Sequence, residues 1–232
     1  MKKVGFVIFV GALVAGVILA NLSGFGRLGS TPFNVSFNFG KVSGSGNVVT
    51  QTRDVRDFSS IDVSGVFKVE ATAQKDFSVE VQADDNLMQF ITTEVRDGVL
   101  HIEAEKRLKS NGPIIVRVSA PEFERVEASG VSNVSFKNLK SERFEMNTSG
   151  KSRVTADGVA ESLDIDVSGA SEIDSAELTS ETAKIDASGA SKVTVNASRQ
   201  LDVDASGASR IYYSGTANVN KNTSGASSVT QK

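Results

Sequence analysis

The unit Ser-Gly-x-Ser begins at Ser129, Ser149, Ser168, Ser188, Ser206 and Ser224, in steps of 20, 19, 20, 18 and 18 residues. A looser seventh copy, Ser64-Gly65-Val66-Phe67, stands upstream. A period near 20 residues means that one supersecondary unit stacks on the next, because a unit of that size cannot bury its apolar face alone. The positions one, three and five before the first serine are mostly apolar or small. They are Val167, Ile165 and Leu163 in the third copy, Ala187, Ile185 and Ala183 in the fourth, and Ala205, Val203 and Leu201 in the fifth. The fifth residue after the serine is always a branched aliphatic: Val134, Val154, Ile173, Val193, Ile211 and Val229. Alternation with period two on both sides of Ser-Gly predicts two short strands meeting at a corner. Glycine gives that corner its backbone freedom.

Such coils bury their apolar faces by pairing each strand with its equivalent in the next coil, about 4.8 Å away. The prediction is an all-β, right-handed parallel β-helix of 18–20 residues per coil, handed as parallel crossovers nearly always are. A leucine-rich repeat would need a Leu/Asn signature that is absent, and a β-propeller a longer period.

The formal net charge of −3 leaves no basic stripe to neutralise phosphates, which excludes a nucleic-acid partner. The absence of cysteine excludes disulfides, thiolate metal sites, thiol catalysis and an acylated lipoprotein cysteine. Nothing in the sequence implies a cofactor.

The chain divides into four stretches. Residues 1–28 contain Lys2 and Lys3 followed by an uncharged run from Val4 to Ala20, expected to be a signal anchor crossing the membrane as a helix or a cleaved signal peptide. Either places the remainder outside the cytoplasm, in the periplasm or on the cell surface. Residues 29–46 read as a linker with one strand, in which Phe33, Val35, Phe37 and Phe39 alternate with polar residues. Residues 47–120 read as an N-terminal β-unit or irregular coils. They contain a short helix or turn from Asp84 to Ile91 and a hairpin from Val95 to Ile102 with Asp97-Gly98 at its turn. Residues 121–232 form the regular array.

From Val42 to Lys232 the chain resembles the putative auto-transporter adhesin, head GIN domain family of bacterial surface or periplasmic proteins. The resemblance rests on an ordered series: Gly44-Ser-Gly-Asn47, Phe58-Ser-Ser-Ile61, Val63-Ser-Gly-Val66-Phe67-Lys-Val69, Asp85-Asn-Leu87, Asp97-Gly98-Val-Leu100-His-Ile102, Ala120-Pro121, and the Ser-Gly-Ala-Ser copies. It implies a β-helical fold and an adhesive or surface role. It brings no catalytic residues, and this chain lacks a lipoprotein cysteine.

The most site-like feature is a column two residues before each repeat serine: Glu127, Asn147, Asp166, Asp186, Asp204 and Asn222. These alternate with inward residues and so point outward, stacked about 4.8 Å apart. The adjacent carboxylates Asp166, Asp186 and Asp204 should attract a cation or a basic partner, and oxygen ligands at that spacing suit Ca²⁺. The plainer reading is a solvated face whose charge is offset by the basic members of a second column, Asn133, Arg153, Glu172, Lys192, Arg210 and Ser228. A serine nucleophile would need a positioned base. The single histidine, His101, sits at an outward position of the hairpin and reads as surface polar filler. Tyr213 should face the core and Tyr212 the solvent. In the last coil Lys221 replaces an inward aliphatic, which caps an open edge or docks another subunit of a homo-oligomer.

The expected function is that of a non-catalytic, membrane-tethered binding module with a glycan or envelope protein as partner. The rival readings are a polysaccharide-processing β-helix enzyme, which would build its groove from long loops between coils, and a purely structural envelope module. Fold does not choose among them.

Overall fold

The computed structural model describes residues 40–232. The expected membrane helix and the Phe33–Phe39 strand lie outside the described residues. Within the described residues the protein is all-β, and its helical structure is a single 3₁₀ turn, Met88–Phe90.

The chain enters through β1 (Val42–Ser43) and β2 (Val48–Arg53), then forms a coil from β3 (Ser60–Gly65) and β4 (Lys68–Ala73). It continues through β5 (Ser78–Asp84), β6 (Ile91–Arg96), β7 (Val99–Ala104), β8 (Leu108–Lys109) and β9 (Ile115–Ala120). Strand β7 pairs parallel with β3, and β9 pairs parallel with β4. Strand β6 returns antiparallel on β7 through Asp97 (φ 53°) and Gly98 (φ 76°), the hairpin expected from Asp-Gly. Strands β5 and β2 add antiparallel beyond β9. The ladders β6–β7–β3 and β2–β5–β9–β4 therefore both begin with antiparallel strands, which shield the first parallel rung from edge pairing.

The regular array follows as β10 (Arg125–Gly130), β11 (Asn133–Thr148), β12 (Arg153–Val167), β13 (Glu172–Ala187), β14 (Lys192–Ala205), β15 (Arg210–Ser214), β16 (Asn218–Thr223) and β17 (Ser228–Gln231). Strand β10 joins the free side of β3, and the first part of β11 joins the free side of β4. The aliphatics Val134, Val154, Ile173, Val193, Ile211 and Val229 stand in one row of register partners. The repeat spacing in sequence is thus the spacing of rungs, and the array is a β-solenoid of about five turns.

The strands are longer than the sequence suggests. Four of them run 14–16 residues, from one Ser-Gly corner to the next. Each bends partway along at a register shift, as at Phe136/Leu139 and Thr155/Gly158. Asn138 (φ 58°) and Gly158 (φ 124°) absorb two of these bends. Such irregularities bend a strand and leave pairing intact on either side, so the second corner carries no turn signature.

The core is a stack of aliphatic rungs. Ile165, Ile185 and Val203 are all buried, as are Ile173, Val193 and Ile211. Each contributes roughly 2 kcal/mol by leaving water. Phe123, Phe136 and Phe144 fill the first coils with edge-on contacts at 5.2 and 5.1 Å.

The corner itself is set by glycine. Gly130, Gly150, Gly169, Gly189, Gly207 and Gly225 all have φ between 70° and 79°. Each carbonyl of the first five accepts a hydrogen bond from the x residue of the following coil, as in Ala190 N–H to Gly169 O at 2.8 Å. A Cβ on Gly189 would lie 2.5 Å from that same Gly169 oxygen. Gly98 also has positive φ, but a Cβ there would meet nothing within 4 Å. Gly98→Ala should therefore cost only the left-handed backbone penalty, about 1 kcal/mol. Gly189→Ala adds a clash with backbone and should cost about 3 kcal/mol or more in urea unfolding. Equal losses in the two variants would refute the close-packed corner.

Candidate functional site

Register pairing builds the outward column directly. Asp166, Asp186 and Asp204 are consecutive partners on β12, β13 and β14, and Asn222 on β16 follows. Toward the N-terminal end the row continues through Asn147, Glu127, Asp62 and His101. The column expected from six repeat copies thus extends to Asp62, two residues before the looser Ser64-Gly65 copy, and to His101 on β7, which carries no copy.

The three aspartates line a shallow groove of about 260 Å³ together with Ser188, Ser206, Asn222 and Ser224. No cation is among the lining residues. Two larger grooves, of about 570 and 760 Å³, mix both signs of charge. Lys68, Arg117 and Lys137 stand among Glu70 and Glu80 in one of them.

The acidic groove is partly compensated from its flank. Lys184 Nζ lies 2.9 Å from Asp186 Oδ2, and this hydrogen bond is the main reason that the ammonium pKa is raised, with Asp164 and Asp204 adding to it. Asn222 Nδ2 donates to Asp204 Oδ1 at 2.9 Å. Arg143 pairs with Asp164 at 2.6 Å, and Gln200 donates to Asp202. Five carboxylates on this face, at 164, 166, 186, 202 and 204, meet two cations, at 143 and 184.

The second column does not offset the first. Arg153 and Lys192 both turn to Glu172 within their own row, at 2.5 and 2.9 Å. Glu172 is held below the usual carboxylate range, chiefly by the Lys192 hydrogen bond. Arg153 and Lys192 are therefore engaged away from the acidic column.

The Ser-Gly-x-Ser hydroxyls divide into two sets. The second serines are the buried ones: Ser132, Ser152, Ser171, Ser191 and Ser209. Ser132 and Ser209 donate to the carbonyls of Ser129 and Ser206 at 3.1 and 2.8 Å, and Ser191 and Ser209 contact each other at 3.1 Å. The Ser132 and Ser209 hydroxyls thus satisfy corner carbonyls, whereas the buried Ser152 and Ser171 hydroxyls have no protein partner; no imidazole faces any of them. Tyr213 packs on the core, as expected, and Tyr212 lies beneath Lys232 Nζ, 4.8 Å from its ring centre.

His101 is more than surface filler. Its Nδ1 lies 3.0 Å from Asp62 Oδ2, across the β3–β7 ladder. Together with Glu103 these residues form the one group, among the described residues, whose metal-ligating atoms all lie within 4.8 Å of one another.

A polar knot ties the entry of the chain to the coils. The buried Asp84 carboxylate accepts the Gly46 N–H at 2.8 Å and the Ser110 hydroxyl at 2.7 Å. Asp85 accepts Ser45 Oγ at 2.5 Å and Asn47 Nδ2 at 2.8 Å, and Asn86 Nδ2 donates to Ser43 O. The Gly44–Asn47 and Asp85–Leu87 motifs thus meet in space. A Cβ on Gly44 would fall 2.0 Å from Asp84 Oδ2, so the close approach requires glycine. The pKa values of both aspartates are lowered, Asp84 first by the Ser110 hydroxyl and Asp85 first by the Ser45 hydroxyl.

These features define a β-solenoid with a shielded N-terminal end and an acidic outward ladder. The model of the family described as "Putative auto-transporter adhesin, head GIN domain" matches residues 57–217, and the chain belongs to that family. Among curated proteins none matches it by sequence. A putative adhesin from Bacteroides fragilis superposes with a TM-score of 0.65 at 20% identity, over 82% of this chain and 98% of the other. A putative adhesin from Parabacteroides merdae gives 0.52 at 18%, over 83% and 99%. A protein from Parabacteroides distasonis described as a putative lipid binding protein gives 0.52 at 19%, over 83% and 100%. At these identities the likeness shows the fold.

The knot predicts an acid-labile fold. A carboxylate whose folded pKa lies below its ordinary value of 3.8 stabilises the fold above that pH and loses this contribution as pH falls through the folded value. Stability should therefore fall as the pH is lowered below about 4. Asp85→Asn should flatten that limb in urea titrations at stepped pH, and an unchanged limb would remove the knot from the acid response.

Proposed function

We propose that this chain is a non-catalytic binding module of the bacterial cell envelope, exported and held at the membrane by its N-terminal segment. Its right-handed solenoid presents the Asp166–Asp186–Asp204 ladder to a glycan or envelope protein that carries cationic groups. The observation that carries the reading is the in-register row of three carboxylates lining a groove without a cation in its lining. Membership of an adhesin-like family supports both the binding role and the surface location. Among the described residues no helix is long and apolar enough to cross a membrane, so the proposed tether rests on the lysine-led apolar run of residues 1–28.

A polysaccharide-processing enzyme gains less support. Such an enzyme needs a groove walled by loops, whereas the links between successive coils here are the four-residue Ser-Gly-x-Ser corners. The ladder lies on an open sheet face.

The test is binding of the full chain to an array of glycans and envelope polymers, with and without Ca²⁺, beside an Asp166/Asp186/Asp204→Asn variant. Asn147 and Asn222 already occupy the same row, so the fold accommodates asparagine there. Affinity should fall at least about tenfold in the variant, and wild-type binding should weaken as salt rises. Calcium dependence would place the ion at the ladder. Binding equal in the two proteins would move the contact elsewhere, and no binding to any polymer would favour a structural role.

A further inference from the structure

We propose that Asp62, His101 and Glu103 form a binding site for one divalent transition-metal ion of the Zn²⁺ type. Asp62 on β3 is the register partner of His101 on β7, and Glu103 lies two residues beyond His101 on the same strand. Side chains two apart on a strand share a face, so all three donors project from one sheet surface. Their ligating atoms lie within 4.8 Å of one another. Donors around a single Zn²⁺, each about 2.0–2.2 Å from the ion, can be no more than about 4.4 Å apart. Glu103 is the most exposed of the three and so the one freest to adjust toward an ion.

The chemistry of the donors selects the ion. One imidazole and two carboxylates make a mixed nitrogen and oxygen set, which suits zinc and its neighbours in the first transition row. Calcium and magnesium favour oxygen alone. Three protein donors leave a fourth position open to water or to a donor from a partner.

The site is also preorganised. Beneath it Ile61, Val63, Leu100 and Ile102 are buried in the core, which fixes the two strands that carry the ligands. Asp62 and His101 are half-buried, with side chains 30% and 22% exposed. Their 3.0 Å contact already holds two of the donors side by side. The competing contact is weak: Arg96 Nη2 lies 3.8 Å from Glu103 Oε1 in a pair that is about half exposed, and such pairs contribute little. The Asp84–Asp85 knot differs in kind, because its oxygens are taken by Ser, Asn and backbone donors. The proposal does not depend on the ladder's role in partner binding.

The experiment is a Zn²⁺ titration of the untagged, metal-free full chain by calorimetry, with NMR of its single histidine. The expected result is one ion per chain, displacement of the His101 ring resonances, and a Tm that rises with Zn²⁺. His101→Gln should weaken binding at least about tenfold. Glu103→Gln should also weaken it while leaving the metal-free Tm near that of the wild type, which separates ligand loss from misfolding. Asp166/Asp186/Asp204→Asn should bind Zn²⁺ normally. The site is overturned by an absence of saturable binding, by binding that leaves the His101 resonances unmoved, or by binding that persists in His101→Gln. Loss of binding in the ladder variant would also overturn it, by assigning the ion to the ladder.

Discussion

The contact on which the array depends is the hydrogen bond from the x residue of one coil to the glycine carbonyl of the coil before it, 2.7–2.9 Å at every repeat corner. It brings two backbones so close that neither glycine can carry a Cβ. The glycine must also hold a left-handed φ, which directs its carbonyl along the stack. Once the corners are locked in this way, the rungs on either side of them can pair only in register. The aliphatic rows then fall on top of one another, and the hydrophobic core follows from the corner geometry.

In-register stacking has an electrostatic cost. Like repeats place like side chains in rows, so any charge that recurs in the repeat repels its copies about 4.8 Å away. The chain resolves the two outward rows differently. In the basic row Glu172 replaces a cation, and Arg153 and Lys192 close on it from both sides. In the acidic row no such replacement occurs between Asp166 and Asp204. Lys184 instead reaches Asp186 from a neighbouring row. A row built only for solubility could alternate its charges as the basic one does, so the run of three carboxylates is the part of the surface that a binding role accounts for most directly.

The array was legible because its information is local and repeated. Ile165, Ile185 and Val203 recur at one offset from a glycine, and that offset alone places them inward and Asp166, Asp186 and Asp204 outward. The N-terminal region resisted such reading. Strands β7 and β9 follow β3 and β4 in sequence yet lie on the far side of them from the array. The chain must therefore cross back before Arg125 joins β3. No spacing announces that reversal, and without it Asp62 and His101, 39 residues apart, have no reason to meet. His101 consequently reads as surface filler in sequence, although its outward alternation and its two flanking acids, Glu94 and Glu103, were visible. The second bend was hidden for another reason: Asn138 and Gly158 occupy it without a common residue type.

The two ends of the solenoid differ in a way that bears on how it is used. At the N-terminal end antiparallel β6 and β2/β5 cover the first parallel rungs. At the C-terminal end β16 and β17 remain the outermost strands. Lys221 there stands in register with the buried Val203, at a position that every earlier coil of the array fills with an apolar side chain. Extending the stack over that strand would bury the ammonium without a partner, at a cost that outweighs a further row of backbone hydrogen bonds. The polar run of β16, in which only Val219 is half-buried, therefore opposes end-on growth without an added cap. With end-on growth opposed at this end and the first rungs covered at the other, the faces that stay open along the stack are the lateral ones, where parallel register has aligned the acidic ladder.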